Sequence, residues 1–174
     1  PLDRSRSFFI EEDEILVGND EARGPWSPDA CHAGPVTGAI ARALEPVAPE
    51  QQLARLSVSF VRPVPVSGFR ITTEIVRAGR AASTATARLA GLDGKLCAKA
   101  KSLHLASHPP VALPTASVPG PILEEATDSE FPIVGSLHGM PCFPSGVECK
   151  LPPGENNDPG PTTIWMRTVK IVAG

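Results

Sequence analysis

The side chains best suited to chemistry are gathered in one stretch, Trp26-Ser27-Pro28-Asp29-Ala30-Cys31-His32-Ala33-Gly34-Pro35, which runs into Val36-Thr37-Gly38-Ala39-Ile40-Ala41-Arg42-Ala43-Leu44-Glu45. His32 beside a cluster of backbone amides could act as a base on water or on an acidic Cα–H, or tie its loop down through hydrogen bonds. Asp29 could hold a water or cap the turn. Thr37 could donate to a bound carbonyl or water, or back-bond to the helix. Cys31 would need a base and a depressed pKa to serve as a nucleophile. Trp26, between Pro25 and Pro28, either packs the loop down or meets a substrate.

Those side chains need an element to position them. Pro35 suits a first helical position, where its missing N–H costs nothing, and the spacing predicts a helix over about 35–45. Only Thr37, Arg42 and Glu45 are clearly polar beyond that point, so the helix is expected to be enclosed. Gly34 and Gly38 allow close approach, at about 1 kcal/mol of helix propensity each. The helix start carries unpaired N–H groups and roughly half a positive charge, which favours an oxygen gaining negative charge. A carbonyl such as a thioester could therefore set its oxygen at the amides near Ala33, Gly34, Pro35 and Val36, with Trp26 beside it.

Composition narrows the classes. The 174 residues carry a net charge of −3 and no Lys/Arg run, which argues against a nucleic-acid partner. No apolar run approaches the length of a membrane span, and no signal peptide opens the sequence, so a cytoplasmic protein is expected. Cys31, Cys97, Cys142 and Cys149 form no CxxC pair and read as reduced thiols. His138 with Cys142 and Cys149 is a weak metal cluster, and neither a metal nor a cofactor is expected.

Strand patterns surround the helix. Phe8-Phe9-Ile10 and Ile15-Leu16-Val17 flank Glu11-Glu12-Asp13-Glu14 as a short hairpin. Leu56, Val58 and Phe60 alternate with polar residues, as do Phe69, Ile71, Thr73 and Ile75, then Ala85, Ala87 and Leu89, then Leu96, Ala98 and Ala100. Arg62-Pro63-Val64-Pro65 marks an edge or crossover, and Asp93-Gly94 a two-residue hairpin turn. One apolar helix beside a long antiparallel meander buries itself only if the sheet curls around it. Prolines dominate 107–161, which reads as a connector with Val147-Glu148-Cys149-Lys150-Leu151 as one strand.

Gly24-Pro25-Trp26-Ser27, His32-Ala33-Gly34-Pro35, Phe60-Val61-Arg62-Pro63-Val64-Pro65 and Arg77-Ala78-Gly79-Arg80, in that order, resemble the N-terminal half of the thioesterase-like double hotdog proteins of the acyl-CoA thioesterase II type. The resemblance covers about Phe8 to Ala106. It implies an α+β hotdog fold, two such units in a chain, and hydrolysis of acyl-CoA by a water held by an Asp with Thr and Gln, a set belonging chiefly to the second unit. Trp165-Met166-Arg167 resembles a strand near the start of that second unit. The sequence ends at Gly174, ahead of a second helix, so the carboxylate is not expected among these residues.

The expected organisation is a hotdog domain over 1–106, a Pro-rich connector over 107–130, and the beginning of a second unit over 131–174. The expected activity is acyl-CoA thioester hydrolysis, with His32, Gly34, Thr37 and Asp29 as catalytic candidates and Trp26, Ala33 and Pro35 as substrate contacts. Arg77 and Arg80 could pair with the phosphates of coenzyme A. A hotdog dehydratase or hydratase with His32 as base, and a non-catalytic acyl-CoA binding module, are the alternatives. Unpaired sheet edges imply homo-oligomers through hotdog pairing.

Overall fold

The computed structural model describes residues 6–109, 112, 114, 116–132 and 139–173. Strands β1 (Ser7–Glu12) and β2 (Ile15–Gly18) form the first hairpin. Its two-residue turn puts Asp13 at φ 49° and Glu14 at φ 63°, the primed turn that matches strand twist but which glycine adopts more easily. A short 3-10 turn (Asp20–Ala22) and the Trp26 loop follow, then helix α1 (Ala33–Leu44). Of the next four strands, β3 (Gln51–Phe60), β4 (Phe69–Arg77), β5 (Ala82–Gly91) and β6 (Leu96–Ala106), the last three make the antiparallel meander, and β3 joins it beside β6 rather than beside β4. Beyond it lie β7 (Thr127–Ser129), a 3-10 turn (Phe143–Gly146), β8 (Val147–Leu151), β9 (Trp165–Thr168) and β10 (Lys170–Val172).

The main sheet runs β10-β1-β2-β4-β5-β6-β3, with β10 parallel to β1, and β7-β8-β9 form a separate small sheet. A strand from the last part of the chain thus completes the edge of the first unit's sheet. Val36, Ala39, Ile40 and Leu44 of α1 pack on Phe9, Leu16, Phe69, Ala85, Ala87, Leu89, Ala98 and Ala100. The small alanines of β5 and β6 leave room for the helix, as their inward alternation implies. Phe8 and Phe9 are both buried, because Phe9 meets Phe69 edge-on at 5.3 Å while Phe8 stacks on Phe143 at 5.7 Å.

Several expectations change in detail. The helix begins at Ala33, so Pro35 is its third residue, still within the first turn where no intrahelical donor is required. It is covered on one face only: Ala33, Gly34 and Arg42 are exposed, and Arg42 pairs with Glu11 at 3.0 Å. Thr73, Ile75 and Phe60 keep their alternation yet are exposed although their cross-strand neighbours Ala87, Ala85 and Ala98 are buried, because β3 is an edge strand and β4 pairs with β2 at a single position. Asp93-Gly94 belongs to a three-residue connection, with Gly94 at φ 77°, Gly94 N–H donating to Gly91 O at 2.9 Å and Gly91 N–H to Lys95 O at 3.0 Å. The resulting bulge buries Cys97, which simple alternation would turn outward.

Candidate functional site

The loop ahead of α1 is held on three sides. Cys31 N–H donates to Val64 O at 2.8 Å, His32 N–H to Ala22 O at 2.7 Å, and Val66 N–H to Asp29 O at 3.0 Å, so the Pro63–Pro65 crossover from β3 to β4 underlies it. Gly24 N–H closes the loop on Ala30 O at 2.8 Å. Arg23, buried, ties the rest together: Nε donates to Pro28 O at 2.8 Å, Nη1 to Pro141 O at 2.7 Å, and Nη2 pairs with Asp20 at 3.0 Å. Its own carbonyl accepts from Phe143 N–H at 2.9 Å. One guanidinium therefore fastens the Trp26 loop to a segment more than a hundred residues away. Nearby, Arg6 pairs with the buried Glu21.

His32 is the N-cap of α1. Its Nδ1 accepts the Gly34 N–H at 3.1 Å, which assigns the ring proton to Nε2. Phe143 lies parallel to the imidazole at 4.0 Å and Trp26 nearly parallel at 5.6 Å. Burial lowers the His32 pKa below its ordinary value, in keeping with a neutral cap. A methyl group on Gly34 would stand 3.1 Å from Nδ1, so the glycine makes room for the imidazole, while Phe143 at 3.8 Å would be in ordinary contact. A methyl group on Gly38 would meet Ile171 of β10 at 2.7 Å.

The other candidates divide by position. Trp26 is 64% exposed, with its indole stacked on His32 and the rest of its surface open to solvent, and Asp29 is exposed as well. Ala33, Gly34, Pro35 and Thr37 share the first helical turns. Cys31 is pushed up to about 12 by burial, against the pull of Arg23, which leaves it a protonated thiol at neutral pH. Arg77 and Arg80 stand apart: Gln51, just past the carboxyl end of α1, donates to Gly79 O at 2.7 Å and fixes their turn there. Helix α1, 12 residues and so about 18 Å long, has His32 at its start, whereas that turn is tied to Gln51 beyond its far end. His138 lies outside the described residues. Among those described, no group of three or more His, Cys, Asp or Glu could hold a metal, and no helix is long and apolar enough to cross a membrane.

A cleft of about 280 Å³ opens beside the helix where β2 and β4 splay apart, sharing one paired position. Leu16, Ala39, Ala43 and Ile71 give it an apolar floor, and Glu11, Glu14, Arg42 and Arg70 add charged groups to its lining. The first helical turn does not line it.

Arg23 and Phe143 are the site residues that sequence reasoning missed. Neither sits in a legible pattern, since a buried arginine reads like an exposed one and Phe143 falls within the proline-rich stretch. Ser102 and His104, on the inner face of β6, are also paired out of view: Ser102 Oγ lies 2.9 Å from Nε2 and donates to Ala85 O at 3.3 Å. Both are buried, and neither lines the cleft beside α1.

Comparison with known proteins follows the same outline. Residues 22–104 match the family model described as the acyl-CoA thioesterase N-terminal domain, a span holding the Trp26 loop, α1 and nearly all of the meander. Among solved structures, a protein described as a thioesterase from Novosphingobium aromaticivorans superposes with TM-score 0.66 at 20% identity, over 92% of this chain and 64% of that one. A protein described as a thioesterase II from Thermobifida fusca gives 0.58 at 15% identity, over 86% of this chain and 55% of that one. A Bacillus halodurans protein solved with CoA gives 0.50 at 14% identity, over 55% and 67%. The chain thus spans roughly three-fifths of the first two relatives' length. No curated protein matches it in sequence. Residues 22–104, just under half of the chain, are thus similar to the N-terminal domain of acyl-CoA thioesterases, and the fold is that of the thioesterase structures.

Proposed function

We propose that this chain binds a fatty acyl-CoA at the amino end of α1 and takes part in hydrolysing its thioester to the free acid and CoA. The observation that carries this reading is the family match over 22–104, which spans the exposed Trp26, the His32 cap and the helix start as one block. The thioester oxygen would lie at the first helical amides, where the partial positive charge of the helix favours the developing oxyanion. Gly34 N–H is held by His32, Pro35 has none, and Ala33 is exposed, so Ala33 N–H is the donor this arrangement offers a ligand first. Gly34 N–H joins it when the imidazole yields. Asp29 and Thr37 are the groups proposed to hold the attacking water, and Trp26 the surface on which the substrate rests. Neutral His32 orients the turn, and its Nε2–H is a further donor.

The division into a hotdog unit over 1–106, a connector over 107–130 and the start of a second unit over 131–174 belongs to this reading. So does pairing of units: Phe60 and Ile75 are exposed inner-face residues, and β3 is an edge strand paired on one side only among the described residues. Arg77 and Arg80 enter as phosphate contacts for a substrate held on the facing unit. The CoA of the Bacillus halodurans protein supports the ligand class. Four free thiols agree with a cytoplasmic setting.

The test is release of CoA from acyl-CoAs of graded chain length, followed with a thiol reagent, beside hydration of crotonyl-CoA. Hydrolysis that falls at least tenfold on Trp26→Ala or Asp29→Asn supports the proposal. Hydration without hydrolysis favours the dehydratase reading, and binding without turnover favours an acyl-CoA binding module.

A further inference from the structure

The sheet face turned away from α1 carries an unbalanced charge. Strand register sets Ser59, Lys99, Arg88 and Thr72 side by side across β3, β6, β5 and β4. The next row is Ser57, Lys101, Thr86 and Glu74, and the one after it Arg55, Leu103, Thr84 and Arg77. Arg55, Arg88, Lys99 and Lys101 are all exposed. Glu74 is the one acid in these rows, and among the described residues none of these five takes part in an ion pair.

Arg88 stands directly opposite Lys99 in two interior strands, an arrangement that destabilises a ladder. The chain as a whole is negative, at −3, so this face concentrates charge against the balance of the molecule. Such a surface calls for an anionic partner. A second copy of the same face is unsuitable, because symmetric pairing would set these cations against themselves. The rows hold no aromatic side chain on which a nucleic-acid base could stack. They also lack the aromatic anchors through which a folded protein partner is gripped. A layer of anionic headgroups asks only for density of positive charge, spread here over four strands about 4.8 Å apart.

We propose that the β3-β6-β5-β4 outer face, centred on Arg88, Lys99 and Lys101, docks this protein on anionic lipid bilayers. The proposal is independent of the hydrolytic reading.

Sedimentation of the full chain with vesicles of phosphatidylcholine, pure or mixed with phosphatidylglycerol, tests it. Binding to the mixed vesicles alone, lost at high salt, is expected. The R88Q/K99Q/K101Q variant lowers the partition coefficient on the order of 100-fold, and Glu74→Gln, which removes the opposing charge, raises it roughly 5-fold. The triple variant melts at or above the wild-type temperature, since the Arg88–Lys99 opposition is gone. Equal binding to both vesicles, no binding, or unchanged partition in both variants overturns the proposal. So does tighter binding to polyuridylate or polyglutamate at matched charge concentration.

Discussion

His32 accepts the Gly34 amide through Nδ1 at 3.1 Å, an N-cap supplied by an imidazole where serine or aspartate is the common choice. The cap works only while Nδ1 is unprotonated. Burial lowers the His32 pKa from its ordinary value of 6.5. As pH falls from that value toward the folded-state pKa, the unfolded chain takes up a proton that the folded chain refuses, so stability declines. Above the unfolded value the contribution is complete.

The melting temperature should therefore be level above neutrality and drop on acidification below the ordinary histidine value of 6.5. His32→Asn, whose Oδ1 can also accept from Gly34, should keep the cap and flatten that part of the profile. His32→Ala should lose about 1 kcal/mol at neutral pH. A wild-type profile that matches His32→Asn across this range would refute the role.

Arg23 spends its donors on Pro28 O, Pro141 O and Asp20. Lysine retains the charge and cannot reproduce the fork. Arg23→Lys is expected to cost roughly 2–4 kcal/mol in chemical denaturation, because two part-buried hydrogen bonds from the guanidinium to carbonyls are lost. The fluorescence of Trp26 should change with it, as the loop holding the indole on His32 is released.

Gly38 poses a balance between propensity and space. Alanine improves the helix by about 1 kcal/mol, but its methyl meets the Cδ1 end of Ile171 at 2.7 Å. Gly38→Ala alone should leave the melting temperature nearly unchanged. Combined with Ile171→Ala, whose own cost is measured separately, it should recover about 1 kcal/mol.

Glu14 sits at φ 63° in the first hairpin turn. Glu14→Gly removes a left-handed side chain and should stabilise by about 1 kcal/mol, read as a rise in melting temperature. Glu14→Val should lower it.

What the residues determined by themselves was local. Alternation marked β3 to β6 and said which side of each strand faces the helix. Pro35 and the small-residue run marked α1 to within two positions, and the acidic run marked the first turn. These are signals of period and of turn chemistry, carried within ten or so residues. Alternation does not state which strand lies alongside or how far it pairs, and β2 meets β4 at one position only, which is why Thr73 and Ile75 turned out exposed.

The tertiary structure alone decided the rest. That Phe143 stacks on His32, that Arg23 spans from Pro28 to Pro141, and that β10 lies parallel to β1 all depend on segments over a hundred residues apart in the chain. No local period encodes such meetings, since they are selected by whichever distant side chain fills the space left at the helix start. The row of cations on the outer sheet face is of the same kind: Arg88 and Lys99 become neighbours only through the register of β5 on β6.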